Sequence, residues 1–509
     1  MNDRSHGYDT SVGYSFGFYR EMAPDWLDLC VRAAGHAPAR VGSSYRYLEL
    51  GCGQGFGLCL LAAANPESEF VGVDFQRDHI DHALQLARSG SLGNIRFIQA
   101  DFSDLAQVWP KDIGTFDYVA LHGILTWVSP KLREAVSQCL VGGTHEGSLV
   151  YASYNAQPSW LGTMPFQHIT RLLKDASLEP SEAVMERSIS LFEKLRAGGA
   201  PVFNVLPALG ARLQTLRSHS VNYLVHEYLN ETWEPLWHSE VARTFEPAIL
   251  RFAGSATIAD NLLPDVLSER MRDAILEQGS SELRQDVQDI AINQGFRRDI
   301  LCRGVLKDLT ETLAENSRRF ILLSRPEAGK DLVAQTSFGP MALQWEHVGP
   351  IANALDAGPR TFGELADESA LPPVDLRQLL ILLLHADTIA IEAAPDPRID
   401  AAHRLNAAIA NAAANRAPYE QLAAARLGSA IRVSQIELLL LDAWLALRDQ
   451  DNVDELAIGV WERMSALGHK LYHLGEQVDD ASARQQLREV AVTFIEDVLP
   501  RWRQLGVVS

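Results

Sequence analysis

The residues best suited to chemistry lie around three glycines spaced two apart, Gly51, Gly53 and Gly55, which closely follow the acidic residue Glu49. An apolar run precedes them and a second one, residues 56–64, follows, so the pattern predicts a buried strand, a tight turn and a helix. Glycine suits a turn that a ligand approaches closely, because a Cβ atom would hold the ligand away. A carboxylate at this turn favours a ligand with a cationic amino group over a pyrophosphate.

Two further carboxylates end the next two predicted strands. Asp74 is placed where a carboxylate can hold ribose hydroxyls, and Asp101 is placed to accept a hydrogen bond from an adenine amino group. Acids at three successive strand ends, combined with the glycine turn, favour S-adenosyl-L-methionine as the cofactor, with an NAD site as the alternative. The residues predicted to bind the cofactor are Glu49, Gly51, Gly53, Gly55, Asp74, Asp101 and Phe102.

Strands and helices alternate between residues 45 and 155, which predicts a Rossmann-like, doubly wound α/β sheet. The ligand of such a sheet binds at the carboxyl ends of the strands. His122 follows the fourth predicted strand, and Tyr154 and Asn155 follow the fifth. We therefore expect these three side chains to meet the substrate beside the cofactor.

The predicted catalytic residues suit methyl transfer, an in-line displacement that depends mainly on positioning a neutral nucleophile. The side-chain oxygen of Asn155 and the hydroxyl of Tyr154 could orient an amine. Tyr14 could add a third acceptor, carried by an N-terminal flap over the cofactor pocket. His122 is either a base for an oxygen nucleophile or a residue that bonds the backbone at the end of its strand.

Longer motifs accompany the glycine turn: Y-D-x₄-Y from Tyr8, LELGCGQG from Leu48, VGVD from Val71, FDYVALHGILTWVS from Phe116, YASYNAQPSW from Tyr151 and HEYLN from His226. Together they resemble the bacterial methyltransferases that carry a methyltransferase regulatory domain, a group that includes the rickettsial protein lysine methyltransferases. Ser159 stands where this family usually has a glycine, which leaves the local turn and the substrate selectivity open.

The alternation of elements and the resemblance together predict four parts. They are a methyltransferase domain with its flap (1–165), a helical regulatory domain (166–335), a winged-helix-like domain (336–400) and a helical C-terminal region (401–509). Within the second part, His226 and Glu227 lack the second histidine of an H-E-x-x-H site, so no metal centre is predicted.

Charge and cysteine content limit the partners and the compartment. The formal net charge is −20, and residues 351–400 hold nine acidic residues against three arginines, so neither the chain nor its winged-helix-like part suits nucleic acid. The five scattered cysteines include no C-x-x-C pair, which indicates a reducing compartment without a zinc site. The N-terminus is polar and apolar runs such as residues 379–384 are too short to span a membrane, so we expect a cytoplasmic protein.

These observations favour an S-adenosyl-L-methionine-dependent methyltransferase, and the resemblance implies lysine side chains of a protein as the acceptor. A surface protein is one candidate substrate, and a homodimer is one candidate oligomeric state. Two alternatives stay open: an O- or N-methyltransferase for a small molecule or glycan, and a non-catalytic sensor of the cofactor. A cleft open to a peptide would favour the protein substrate over the small molecule.

Overall fold

The computed structural model describes residues 16–40, 42, 44–308, 318–394, 397–468, 472–473, 476–477 and 480–509. The predicted flap residue Tyr14 lies outside these ranges. Among the described residues, no helix combines the length and the apolar character needed to cross a lipid bilayer.

A mixed sheet of seven strands forms the centre of the fold. In chain order its strands are β1 Arg46–Leu50, β2 Glu69–Asp74, β3 Ile95–Gln99, β4 Phe116–Leu121, β5 Thr144–Asn155, β6 Leu250–Ser255 and β7 Phe296–Arg303. The strand order across the sheet is β3-β2-β1-β4-β5-β7-β6. Strands β1 to β5 run parallel, and β7 is antiparallel to both neighbours. This arrangement confirms the predicted Rossmann-like class.

Helices cover both faces of the sheet, which explains why β1 reads as a nearly continuous apolar run. Tyr47, Leu48 and Leu50 are fully buried although they point to opposite faces. The helices of this part are α1 Pro24–Ala33, α2 Phe56–Ala64, α3 Arg77–Ser89, α4 Phe102–Gln107 and α5 Pro130–Gly143. A short 3₁₀ turn, Arg20–Met22, precedes them.

The middle of the chain is mostly helical, yet it also supplies β6 and β7. Its helices are α6 Met164–Asp175, α7 Ser181–Ala197, α8 Val202–Val205, α9 Pro207–Leu216, α10 Val221–Tyr228, α11 His238–Phe245, α12 Glu269–Leu276 and α13 Ser281–Ile292, with 3₁₀ turns at Ser159–Thr163, Glu246–Ala248 and Ile258–Leu262. Strand β7 pairs with β5 from Asn155 opposite Phe296 to Leu149 opposite Cys302. The sheet therefore crosses the boundary predicted near residue 165, and the four-part division stays a prediction.

Residues 319–391 form three helices, a small sheet and a hairpin. Helices α14 Trp345–Asp356, α15 Phe362–Ser369 and α16 Pro373–His385 surround a small sheet of Arg319–Leu322, Arg360–Thr361 and Ile389–Ile391. A hairpin, Leu332–Thr336 with Gly339–Leu343, precedes α14. The winged-helix assignment stays a prediction.

The C-terminal region packs onto the methyltransferase part. It consists of α17 Asp400–Ala414, α18 Gln435–Ala446, α19 Val453–Ala466, α20 Asp480–Thr493, a π-helical turn Phe494–Val498 and α21 Leu499–Leu505. Its short strands pair as Gln421–Ala424 with Ser429–Arg432 and as Tyr472–His473 with Glu476–Gln477, and Ala425–Leu427 is a 3₁₀ turn. Outside the C-terminal region, the two-residue strands His36–Ala37 and Lys307–Asp308 pair with each other. Leu405 of α17 shares a buried cluster with Phe56 of α2 and Leu86 of α3.

Candidate active site

The turn after β1 uses its own N–H groups to hold its shape. The amides of Gly51 and Cys52 both donate to the carbonyl of Val73, at 2.7 and 3.0 Å. The amide of Gly53 donates to Asp74 Oδ2 at 2.9 Å. The turn therefore ties β1 to β2.

The three glycines share a left-handed backbone conformation but face different surroundings. Gly51, Gly53 and Gly55 have φ angles of 76°, 52° and 69°. A Cβ atom on Gly55 would collide with Ala83 and lie 2.8 Å from Phe97, so this glycine lets α2 pack closely. A Cβ atom on Gly53 would meet nothing within 4 Å and would project into open space. Gly53 is thus the position where the backbone borders the site.

Two adjoining cavities share Gly51, Gly53 and His122. The Asp74 cavity is lined by these residues together with Asp74, Phe75, Gln76, His79, Ala100, Asp101, Phe102, Gly123, Ile124, Trp127, Val128 and Leu132. The Glu49 cavity lies on the other side of the turn and is lined by Phe16, Gly17, Phe18, Tyr19, Met22, Glu49, Cys52, Gln54, Gly55, Phe56, Gly57 and Leu61. All the residues predicted to bind the cofactor line one cavity or the other.

The three predicted carboxylates lie at this rim in distinct environments. Asp74 also accepts from the amide of Gln76 at 2.9 Å, and Asp101 accepts from the amide of Ser103 at 2.7 Å at the start of α4. Glu49 is buried, and burial together with the Asp74 carboxylate raises its pKa to about 8. A cationic group beside Glu49 would restore its charged form.

His122 is enclosed by aromatic rings and hydroxyl groups. Its Nδ1 atom lies 3.0 Å from the Tyr151 hydroxyl and 3.1 Å from the Ser153 hydroxyl, and its ring stacks on Tyr19. Burial, and secondarily the charge of Arg298, lower the pKa of His122 to about 3. The imidazole is therefore neutral at pH 7 and a weak base, and its Nδ1 contacts are side-chain hydroxyls, so both of its predicted roles stay predictions.

The last two residues of β5 point to opposite faces of the sheet, as strand geometry requires. Asn155 lies on the face of Ser153, and its Nδ2 atom donates to Glu227 Oε1 at 3.0 Å. Tyr154 points the other way, and its buried hydroxyl donates to Asp299 Oδ2 at 2.6 Å. His238 and Arg297 also bond Asp299, so Tyr154 belongs to a buried polar network.

The structure thus brings Asn155 towards His122 and directs Tyr154 away from both of them. Neither residue is among the described residues that line the Asp74 and Glu49 cavities. The predicted catalytic set stays a prediction, with Asn155 as its best-placed member. Tyr19 was not among the predicted site residues, and Glu227 had been considered only for a metal site and as part of the HEYLN motif. The HEYLN signature was the signal for Glu227.

Comparisons with known proteins agree with this geometry. Residues 42–177 match the family model of a methyltransferase domain, and residues 220–303 match that of a predicted methyltransferase regulatory domain. The chain is 31% identical over 512 residues to the Synechocystis protein sll1526, with 99% of each protein covered. It is 26% identical over 277 residues to the Rickettsia prowazekii protein RP789, which covers 52% of this chain and 46% of that protein.

Solved structures share the fold along nearly the whole chain. PKMT2 from Rickettsia typhi matches with a TM-score of 0.72 and 17% identity, covering 97% of this chain and 100% of that one. The complex of PKMT2 with AdoHcy matches with a TM-score of 0.71 and 16% identity, covering 97% and 99%. The chain belongs to the bacterial class I S-adenosyl-L-methionine-dependent methyltransferases that carry a methyltransferase regulatory domain.

The residues of the site fit the cofactor of this family. Gly53 leaves open space beside the turn, Glu49 is a buried carboxyl group suited to a cation, and Asp74 and Asp101 are acceptors at the far side of the turn. These groups would hold S-adenosyl-L-methionine. When bound, the cofactor supplies an electrophilic methyl group.

Proposed function

We propose that this methyltransferase modifies lysine side chains of a protein substrate. Its likeness to PKMT2, a rickettsial protein lysine methyltransferase, supports lysine as the acceptor. The observation that carries the proposal is a third cavity of about 810 Å³, here called the large cavity. Phe16, Gly17, Phe18 and Tyr19 line both the large cavity and the Glu49 cavity, so the two cavities border the same segment.

The lining of the large cavity suits a positively charged segment of a protein. Pockets for small molecules are mostly apolar, with few polar groups. The large cavity combines apolar side chains with many charged ones from the N-terminal, winged-helix-like and C-terminal parts: Arg20, Glu21, Asp387, Glu420, Arg432, Glu437, Asp497 and Arg501. Acids outnumber arginines, and an acidic lining attracts a lysine-bearing segment.

The residues beside His122 suit an amine acceptor. A lysine must lose a proton before it can accept a methyl group, and a buried site lowers the pKa of an ammonium group. A neutral amine then needs hydrogen-bond acceptors that direct its lone pair, a need that the side-chain oxygen of Asn155 can meet. In this scheme most of the reduction in the reaction barrier comes from positioning the amine against the methyl group, and no strong base is required.

The test uses the purified full chain, methyl-labelled S-adenosyl-L-methionine and a whole-cell extract separated into protein, lipid, glycan and nucleic-acid fractions. We expect label in protein that survives base treatment and appears as methylated lysine after hydrolysis. The Asn155→Ala variant should transfer label at least tenfold more slowly while its affinity for AdoHcy stays within about twofold.

Other outcomes of this test would contradict the proposal in different ways. Label in a glycan or small-molecule fraction would replace the acceptor and leave the enzyme class intact. Binding of AdoHcy without any transfer of label would indicate a sensor of the cofactor. Unchanged turnover of Asn155→Ala would remove that residue from the mechanism.

A further inference from the structure

The hydrogen bond between Asn155 and Glu227 fixes more than a distance. Both side chains are buried, with 5% and 7% of their surface exposed. Glu227 accepts from the Nδ2 end of the asparagine amide, and in its ionised form it has no proton with which to bind the Oδ1 end. Burial raises the pKa of Glu227 to about 7, although the charge of Arg212 and the bonds from Asn155 and Tyr223 act against this rise, so the positioning role belongs to the ionised form. The Oδ1 end is thereby turned away from Glu227. An amide without this partner could rotate and present either end.

The face of β5 that carries Asn155 leads back to the cofactor cavities. Ser153 lies on the same face, and its hydroxyl contacts His122, which lines both the Asp74 and Glu49 cavities. The Asn155 amide N–H is bonded to the Thr126 hydroxyl at 2.9 Å, and Thr126 directly precedes Trp127 of the Asp74 cavity. Asn155 is thus anchored by its backbone to one wall of the cavity and by its side chain to Glu227.

Glu227 is held from several sides by the elements around α10. Tyr223, one turn earlier, bonds its carboxyl group and is itself 43% exposed. Arg212 of α9 places a positive charge nearby and bonds the Tyr228 hydroxyl at 2.6 Å. Helices α6 and α7 contribute apolar side chains to the buried cluster around Leu224 and Val225 of α10: Phe166, Val184, Met185, Ile189 and Phe192.

We propose that Glu227 is a positioning residue that orients the Asn155 amide so that its oxygen faces the acceptor amine. This inference rests on the proposed function, in which Asn155 directs an amine. Glu227 belongs to the segment that matches the regulatory-domain model, residues 220–303. The regulatory segment therefore completes the acceptor site and does not merely cover it. A purely structural role, in which the pair fastens α10 to the sheet, is the competing explanation.

A double-mutant cycle separates the two explanations. It compares Asn155→Ala, Glu227→Ala and the double variant, using kcat and KM for label transfer, the Kd for AdoHcy and the melting temperature. We expect Glu227→Ala to lower kcat at least tenfold with the AdoHcy Kd within about twofold of the parent. In the Asn155→Ala background the same change should have no further effect on kcat, because its target is gone.

Two further variants act as controls. Glu227→Gln retains a side-chain oxygen that can accept from Asn155 Nδ2, so its kcat should lie between those of the parent and Glu227→Ala. Glu231→Ala, an exposed acid four residues later, should behave as the parent does. Parent-like kcat in Glu227→Ala, or losses that multiply in the double variant, would overturn the inference.

A readout without turnover separates this inference from the proposed function. In protein labelled with ¹⁵N-asparagine, the Nδ2 protons of Asn155 should exchange with solvent at least tenfold faster in Glu227→Ala than in the parent or Glu231→Ala. Equal exchange rates would refute the positioning role whatever the acceptor is. If the label enters an acceptor other than lysine, the same cycle on that acceptor still tests Glu227, and only the lysine proposal fails.

Discussion

The ring of Tyr19 lies against the ring of His122, with centroids 3.8 Å apart and planes inclined by 26°. Tyr19 also lines the large cavity, whereas His122 lines the Asp74 and Glu49 cavities. The stacked pair therefore lies where the large cavity, proposed for the substrate, adjoins the cavities proposed for the cofactor. Tyr19 covers one face of the His122 ring, which leads to the first prediction.

Replacing Tyr19 by alanine should admit water to His122 and raise the pKa of its imidazole from about 3 towards the ordinary value of about 6.5. Tyr19→Phe keeps the ring and should leave the pKa low. The measurement is an NMR titration of protein carrying ¹³C-labelled histidine, with His122→Gln used to assign the signal. If the pKa of His122 stayed low in Tyr19→Ala, other side chains would be sufficient to exclude water from the imidazole.

The last two glycines of the turn, Gly53 and Gly55, should respond to alanine in different ways. At Gly53 the methyl group would enter open space, so the stability cost is the left-handed strain of about 1–2 kcal/mol, while AdoHcy affinity should fall at least tenfold. At Gly55 the methyl group would also overpack against Ala83, adding about 1–3 kcal/mol. Urea unfolding and calorimetric titration with AdoHcy measure the two effects.

Gly93 offers a matched control for this pair. A Cβ atom there would meet nothing within 4 Å, and its φ angle lies outside the left-handed region. Gly93→Ala should therefore change neither stability nor AdoHcy affinity appreciably. If Gly53→Ala bound AdoHcy as tightly as Gly93→Ala does, the backbone at Gly53 would not border the cofactor.

Glu49 should make the stability of the cofactor-free protein depend on pH. Its pKa of about 8 in the folded state exceeds the unfolded value of about 4.3, so the folded state holds the extra proton between these limits. The free energy of unfolding should therefore fall as pH rises from about 4.3 to about 8. Glu49→Gln should remove this part of the pH dependence, whereas Glu69→Gln, at an exposed side chain, should not.

The same group predicts a proton released on binding. A cationic cofactor group beside Glu49 should convert the acid to its carboxylate and expel a proton at pH 7. The observed binding enthalpy should then vary with the ionisation enthalpy of the buffer in the parent and vary less in Glu49→Gln. An equal buffer dependence in both proteins would place the cationic group elsewhere.

Tyr154→Phe should cost stability and spare catalysis. The change removes the 2.6 Å hydrogen bond to Asp299 inside a fully buried network, at a cost of about 1–3 kcal/mol in the free energy of unfolding. The kcat per folded molecule should remain within about twofold of the parent. Urea unfolding and label transfer test both parts, and a tenfold loss of kcat would restore Tyr154 to the catalytic set.

Local features, and the succession of the first five strands along the chain, could be predicted from the sequence. The glycine turn and the acids Glu49, Asp74 and Asp101 lie where the strand-end rule placed them, because this rule depends only on parallel topology. The alternation of strand side chains could also have separated Tyr154 from Asn155, since neighbours in a strand face opposite ways. The prediction for Tyr154 considered its residue type and did not consider which face of the strand its side chain occupies.

Long-range contacts were beyond reach of pattern analysis. Glu227 and Asn155 form a hydrogen bond although they are 72 positions apart in the chain, and neither residue type nor spacing predicts such a pair. Strands β6 and β7 were missed for a related reason. Strand β7 buries Arg297 and Asp299, which pair with each other at 2.8 Å, so its sequence lacks the simple apolar pattern of a central strand.

The position of β7 also has a consequence for how the protein folds while it is being synthesised. Strand β5 pairs with β7 from Leu149 opposite Cys302 onward, so its open edge must wait for some 150 further residues. At about 5–20 residues per second, this wait lasts roughly 8–30 s on the ribosome. An unpaired strand edge is a template for aggregation during that interval. A nascent chain that has passed residue 165 is thus an unfinished sheet, and it should depend on protection by chaperones until residue 303 has emerged.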